Sequence, residues 1–140
     1  MYNEVMYIRH HIGMLGEKAS LLFLVKHGFK IVARNYRKKY GEIDIVAQKG
    51  EKMYFIEVKA VSCEILISGG KSSVNKNLLP FRVEENVHAK KLRSLFKTIQ
   101  VYLSEKQIPE NMEWQLDLHV VYLDVLKKRA KVDVLENITH

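Results

Sequence analysis

Two stretches of the chain carry apolar residues at the spacing of an α-helix. The clearer stripe has members at i, i+3, i+4, i+7, i+10 and i+11, namely Leu92, Leu95, Phe96, Ile99, Tyr102 and Leu103. Lys90, Arg93 and Lys97 lie off this stripe and form either a basic binding face or an ordinary solvated one. An earlier pattern predicts a helix over residues 17–27 that begins and ends at glycines.

Segments rich in Ile, Val, Tyr and Phe predict five β-strands. They cover residues 30–36, 42–48, 53–61, 113–124 and 130–135. The polar stretch over residues 62–86 is predicted as a long, mobile loop. Three strands joined by short turns form an antiparallel meander, and a crossover helix can return the chain to a parallel strand. The sequence therefore predicts an α/β fold with a central mixed β-sheet flanked by α-helices.

Composition narrows the class of protein. The chain has 140 residues, which suits a single domain with a core over about residues 13–135. Apolar residues make up 47% and charged residues 28%, which excludes disordered and fibrous proteins. No apolar run approaches the ~20 residues of a membrane span, and the N-terminus lacks the apolar core of a secretion signal. With Cys63 as the only cysteine, we expect no membrane association and a location in the reducing cytoplasm.

Positive charge gives the first indication of a partner. Lys and Arg number 23 against 16 Asp and Glu, which gives a net charge of +7 and a pI of 9.4. A basic domain can bind nucleic acid because neutralising phosphates releases counterions. Four basic residues cluster before the second strand and are candidates for phosphate contacts that position a DNA duplex: Arg34, Arg37, Lys38 and Lys39. A solvated turn is the alternative interpretation of the same four residues.

The hairpin of the second and third strands carries the candidate chemistry. Glu57 and Lys59 are two positions apart on one strand, so they face the same side of the sheet. Gly50 and Glu51 suit a two-residue type II′ turn, which has glycine at its first central position. With that turn, residues whose numbers sum to 101 face each other. Asp44 is then expected directly opposite Glu57, with Cβ atoms about 5 Å apart.

Two opposed carboxylates repel each other, and a divalent cation between them removes the conflict. Oxygen ligands favour Mg²⁺ or Mn²⁺ over zinc. Lys59 on the same face could hold an attacking water or stabilise a phosphoryl transition state, so the three residues indicate metal-assisted hydrolysis of phosphodiester bonds. The alternative is that Asp44 and Glu57 only pair with Lys59 and nearby arginines. A three-residue turn would place Asp44 on the opposite face.

The same residues carry a resemblance to known nucleases. Asp44 followed by Glu57-x-Lys59 resembles the (D/E)-x-K signature of the PD-(D/E)XK nuclease superfamily. More closely, the segments GEKAS, GEIDIVA and FIEVK resemble, in order and spacing, those of the YraN-like family. These are small bacterial proteins related in fold to archaeal Holliday-junction resolvases. The match is dense over residues 13–61 and weaker beyond.

This resemblance implies a restriction-endonuclease-like core with its active site on the second and third strands. By position, Asp44 and Glu57 would hold the metal ion, and Lys59 would act on the water or the scissile phosphate. Glu17 matches a helix-borne glutamate that often completes the metal site in resolvase-like members. The helix dipole alone also favours a glutamate in a first helical turn.

Two departures from the family's usual pattern bear on substrate affinity. Ala60-Val61 stands where members commonly have Thr-Arg, and Gln115-Leu116-Asp117 stands where they commonly have Arg-Phe-Asp. Each departure removes an arginine that could contact phosphate, and neither removes a candidate metal ligand.

The leading hypothesis is a Mg²⁺- or Mn²⁺-dependent endonuclease that acts on double-stranded or structured DNA, including branched DNA. A non-catalytic nucleic-acid-binding protein that retains the nuclease fold is the alternative. Action on RNA is a third reading, since no residue reports on the 2′-hydroxyl. Cutting both strands of a junction requires two active sites, so that role would call for a homodimer.

Overall fold

The computed structural model describes residues 4–75 and 89–138. Its elements are α1 (Glu4–Lys26), β1 (Lys30–Lys38), β2 (Gly41–Lys49), β3 (Lys52–Ser62), β4 (Ile65–Ser68), β5 (Lys71–Val74), α2 (Ala89–Glu105), β6 (Glu113–Asp124) and β7 (Arg129–Leu135). The five predicted strands correspond to β1, β2, β3, β6 and β7, and where their ends differ from the prediction they differ by one or two residues. None of the helices in these ranges combines the length and apolar character needed to cross a membrane.

A five-stranded sheet in the order β1-β2-β3-β6-β7 forms the centre of the fold. β3 and β6 pair in parallel, whereas the other neighbours are antiparallel, as the predicted meander and crossover require. Helix α1 packs Leu24 against Ile45 and Ile56. Helix α2 packs its apolar stripe against their chain neighbours Val46 and Phe55, which face the other side of the sheet. The fold is therefore the predicted mixed sheet flanked by helices, as expected of a restriction-endonuclease-like core.

Helix α1 is much longer than the predicted helix over residues 17–27, because it begins at Glu4. The predicted start near Gly16 is wrong for a physical reason. A Cβ atom on Gly16 would lie 2.5 Å from the Cβ of Ala60, so this glycine lets the helix approach β3 closely rather than ending it. Glu17 consequently lies in the middle of α1, and the helix dipole does not explain its presence.

The predicted loop over residues 62–86 contains a second, two-stranded sheet formed by β4 and β5. Gly69 and Gly70 connect these strands with φ angles of +59° and +78°, the pattern of a type I′ turn. The loop prediction is wrong for this hairpin, and residues 76–86 of the predicted loop lie outside the described residues.

Candidate active site

The hairpin between β2 and β3 has the predicted turn and register. Gly50 has a φ angle of +61°, and Lys49 and Lys52 pair on either side of the two-residue turn. A positive φ at the first central position alone is the pattern of a type II′ turn. Every pair in this ladder keeps the predicted register as far as Ile45 and Ile56.

The ladder ends one residue short of the two candidate acids, so Asp44 and Glu57 do not form the predicted cross-strand pair. Instead, Asp44 Oδ2 accepts a hydrogen bond of 2.7 Å from the backbone N–H of Val58. β3 remains paired with β6 along its whole length. The candidate site therefore lies where β3 loses one neighbouring strand and keeps the other.

A cavity of about 380 Å³ brings Asp44 together with two other acids, Glu17 and Glu42. It lies between α1 and the adjoining parts of β1, β2 and β3, and its remaining lining residues are His10, Gly13, Met14, Asn35, Val58 and Ala60. Glu17 Oε1 accepts hydrogen bonds from the Arg34 guanidinium and from Asn35 Nδ2, each at 3.2 Å. The structure thus places Glu17 and Asp44 at one cavity.

Glu57 is directed elsewhere and makes an ion pair with the first turn of α2. Its Oε1 lies 2.8 Å from Lys91 Nζ, and only 8% of the residue is exposed. Lys59 follows two positions later on β3, and its charge acts to lower the pKa of Glu57. Burial is the larger influence, and the pKa of Glu57 remains above its ordinary value despite both lysines.

Asp44 is the most strongly perturbed acid of the site. Burial, together with repulsion from Glu57, raises its pKa from 3.8 to about 7, against the opposing effect of the Val58 N–H. Repulsion from Glu17 and Glu42 makes smaller contributions to the same rise in pKa. The two candidate ligands therefore interact electrostatically although the strand ladder does not pair them.

Replacing Asp44 with asparagine is expected to increase the free energy of unfolding at pH 8. This gain should become smaller as the pH falls from 7 towards 4. The pKa of this carboxyl is 3.8 in an ordinary environment and about 7 in the fold. Ionisation of Asp44 therefore destabilises the folded protein increasingly as the pH rises from 3.8 to 7, and the full loss is present above pH 7. Each unit between the two pKa values corresponds to about 1.4 kcal/mol. Asparagine keeps an oxygen that can accept the Val58 N–H. Urea unfolding in EDTA across this pH range measures the effect.

The control for this measurement is Asp133→Asn, an acid on β7 with no part in the candidate site. A stability difference between wild type and Asp44→Asn that does not vary with pH would contradict the electrostatic cause. So would a variant that is less stable than wild type at pH 8.

Three of the four predicted phosphate contacts hold carboxylates of the chain itself. Their nitrogen–oxygen distances are 3.2 Å for Arg34–Glu17, 2.9 Å for Arg37–Glu42 and 2.8 Å for Lys38–Glu105. The fourth, Lys39, places its ammonium group 5.9 Å from the centre of the Tyr40 ring. Arg34 and Arg37 would therefore have to exchange these acids for phosphate in order to bind DNA.

Lys91 is the residue of the site that the sequence prediction missed. It precedes Leu95 by four positions and Thr98 by seven, so it lies in phase with the buried residues of α2 rather than with its basic outer face, although 53% of its side chain is exposed. A lysine in phase with an apolar stripe was the available signal. Its partner, Glu57, could not be predicted, because the sequence does not show how close α2 lies to β3.

Asp44 and Glu57 suit a magnesium ion that keeps water ligands, rather than a metal ion enclosed entirely by protein ligands. Across residues 4–75 and 89–138, no three His, Cys, Asp and Glu side chains are grouped closely enough to hold a metal ion together. Magnesium usually binds through one or two carboxylates together with waters and substrate phosphates. Two desolvated carboxylates that repel each other are such a donor set.

Comparisons with known proteins place the chain in a family. A UPF0102 protein of Campylobacter jejuni is 36% identical over 115 residues, covering 82% of this chain and 87% of the relative. That of Campylobacter hominis is 31% identical over 130 residues, 93% and 95% of the two chains. That of Alkaliphilus oremlandii is 31% identical over 126 residues, 90% and 95%. The model of "Uncharacterised protein family UPF0102" matches residues 16–135, and the chain therefore belongs to this YraN-like family.

Proposed function

We propose that this protein is a metal-dependent endonuclease of the PD-(D/E)XK type that hydrolyses DNA phosphodiester bonds, with Mg²⁺ or Mn²⁺ as its cofactor. The observation that carries the proposal is a pair of desolvated acids, Asp44 and Glu57, at the end of the β2–β3 ladder. Burial raises the pKa of both carboxyls, and repulsion from Glu57 adds to the shift at Asp44. Perturbed carboxylates beside a cavity are typical of functional sites. Lys59 follows Glu57 on the same strand face.

Asp44 and Glu57 would hold the cation. Glu17 lines the cavity of Asp44 and is the third candidate, but it would have to move closer, because no three such side chains among the described residues are grouped tightly enough to hold an ion. When bound, the cation would neutralise charge on the scissile phosphate and lower the pKa of the attacking water. Lys59 would orient that water or stabilise the charge that develops on the phosphate oxygens. Lys91 holds Oε1 of Glu57, so the cation would bind through Oε2 of that carboxylate or displace Lys91.

The non-catalytic alternative has an observation of its own. Glu17, Glu42 and Glu57 each have a cationic partner within the chain. Internal pairs of this kind stabilise a fold without any metal ion. They suit a nucleic-acid-binding protein that keeps the nuclease architecture and cuts nothing.

Structured or double-stranded DNA is the proposed substrate, since a net charge of +7 favours phosphate binding. A homodimer would supply the two active sites needed to cut both strands of a junction. A cytoplasmic location, where Cys63 would stay reduced, completes the proposal.

Cleavage of labelled DNA tests the proposal directly. Linear duplex, flapped, single-stranded and four-way-junction DNA are incubated with Mg²⁺, Mn²⁺ or EDTA, using wild type, Asp44→Ala and the matched control Asp133→Ala. We expect cutting that requires the metal, is abolished by Asp44→Ala and is preserved in Asp133→Ala. The preferred DNA would identify the substrate class.

The outcome that would overturn the nuclease proposal is an absence of cutting in every metal while DNA binding stays intact and sensitive to salt. Binding that survives both Asp44→Ala and Glu57→Ala would then favour the non-catalytic alternative. Cutting that is equally strong in wild type and Asp44→Ala would point to a contaminating nuclease.

A further inference from the structure

The turn between β1 and β2 presents an aromatic ring flanked by positive charges. Tyr40 is 48% exposed, and its ring centre lies 5.9 Å from Lys39 Nζ and 5.5 Å from Lys97 Nζ. The turn rests against α2, because a Cβ on Gly41 would lie 3.3 Å from Thr98 Oγ1. The ring is therefore held at a defined place beside the basic outer face of the helix.

The adjoining part of α2 extends this arrangement. Leu92, Arg93, Phe96 and Lys97 line a groove of about 300 Å³. Phe96 is 46% exposed, and its ring centre lies 5.9 Å from that of Trp114. Lys97 lies near the Tyr40 ring and also lines this groove, so the turn and the groove adjoin each other. We call this face the Tyr40 surface and define it by Lys39, Tyr40, Arg93, Phe96 and Lys97.

The cations of the Tyr40 surface differ from the other predicted phosphate contacts. Arg34, Arg37 and Lys38 are ion-paired with glutamates. Within the part of the chain that the structure describes, no carboxylate forms an ion pair with the cations of the Tyr40 surface. Binding an anion here would break no described ion pair.

We infer that the Tyr40 surface binds unpaired nucleotides of a single-stranded nucleic acid segment. Exposed aromatic rings stack on unpaired bases, and neighbouring cations neutralise the phosphates that join them. The bases of a duplex are already stacked on one another, so the phosphates of a duplex could contact the cations of this surface but its bases could not stack on the aromatic rings. The inference rests on the proposed nucleic-acid substrate, but it does not require cleavage.

The position of this surface relates it to the candidate active site. Tyr40 precedes Asp44 by four residues, and a fully extended chain of that length spans at most about 13 Å. The Tyr40 surface and the candidate acid Asp44 therefore lie near the same end of β2.

Fluorescence anisotropy in EDTA tests the inference without any cutting. A labelled single-stranded oligonucleotide and the same sequence as a duplex are titrated with wild type, Tyr40→Ala, Tyr40→Phe and Lys97→Gln. We expect Tyr40→Ala to weaken single-strand binding about tenfold and duplex binding less than about twofold. Tyr40→Phe should bind as wild type does, because its ring still stacks. Lys97→Gln should lower the salt dependence of single-strand binding by about 0.7 in slope.

Tyr7→Ala is the matched control, since Tyr7 is an exposed tyrosine on α1 and lies outside the Tyr40 surface. Three results would overturn the inference: equal losses for single strand and duplex in Tyr40→Ala, no loss in that variant, or the same loss in Tyr7→Ala. Failure of the nuclease proposal would be seen separately, as intact binding in EDTA with no cleavage in Mg²⁺ or Mn²⁺.

Discussion

Lys59→Ala is expected to lower the rate of DNA cleavage by a factor of about 10²–10³ while changing DNA binding less than about twofold. The factor is typical for removing one group that stabilises charge in a transition state. Lys59 lies two positions after Glu57 on β3, and the charge of Lys59 reaches that carboxylate. Since many surface cations contribute to affinity, loss of one should affect binding little. Single-turnover cleavage in Mg²⁺ and anisotropy in EDTA measure the two effects separately.

Lys52→Ala provides the matched control, because Lys52 lies at the other end of the same strand and contacts the Tyr54 ring rather than the site. It should retain cleavage. If Lys59→Ala reduced binding and cleavage in parallel, Lys59 would be a phosphate anchor or a structural residue. A variant that cut at the rate of wild type would remove Lys59 from the proposed mechanism.

Gly16→Ala is expected to reduce the free energy of unfolding by up to about 2 kcal/mol, whereas Gly13→Ala in the same helix should increase it by up to about 1 kcal/mol. Alanine gains about 1 kcal/mol over glycine inside a helix. At Gly16 the new Cβ would meet Ala60 Cβ at 2.5 Å, and overpacking of this kind costs about 1–3 kcal/mol. At Gly13 nothing lies within 4 Å. Urea unfolding of both variants measures the difference in sign.

The double variant Gly16→Ala/Ala60→Gly separates the contact from other causes. Removing the Ala60 Cβ gives the alanine at position 16 the space it lacks, so the double variant should be more stable than the two single losses would predict. Additive losses would contradict the close approach of α1 to β3. Equal effects of alanine at Gly13 and Gly16 would contradict it as well.

The hairpin that carries the candidate site was predictable because its determinants are local. Gly50 at the first central position of the turn fixes the register, and the register holds from Lys49–Lys52 to Ile45–Ile56. The point at which the ladder stops is not encoded in that turn. Because the ladder ends at Ile45 and Ile56, Asp44 contacts the Val58 N–H instead of facing Glu57. The position of this end depends on packing against elements distant in the sequence.

The other differences between the predicted and the observed secondary structure also have physical causes. The first half of α1 carries no apolar stripe, since the consecutive residues Met6, Tyr7 and Ile8 are all exposed, and a close-approach glycine resembles a helix boundary in sequence. The β4–β5 hairpin did have a local signal in Gly69-Gly70, but its two strands are only four residues long each. Such short strands are hard to distinguish from a loop by composition.

The parallel pairing of β3 with β6 has a consequence for the order in which the site assembles during folding. The Asp44–Val58 contact joins residues only 14 positions apart, within one hairpin, so little loop-closure entropy opposes it. β6 joins β3 only after a two-stranded sheet and helix α2 have intervened in the chain. Long-range parallel pairing of this kind forms slowly. The contact between Asp44 and the Val58 N–H is therefore expected to form early, while the hairpin is still hydrated. The burial that raises the pKa values of Asp44 and Glu57 is expected to follow later, when β6 pairs with β3.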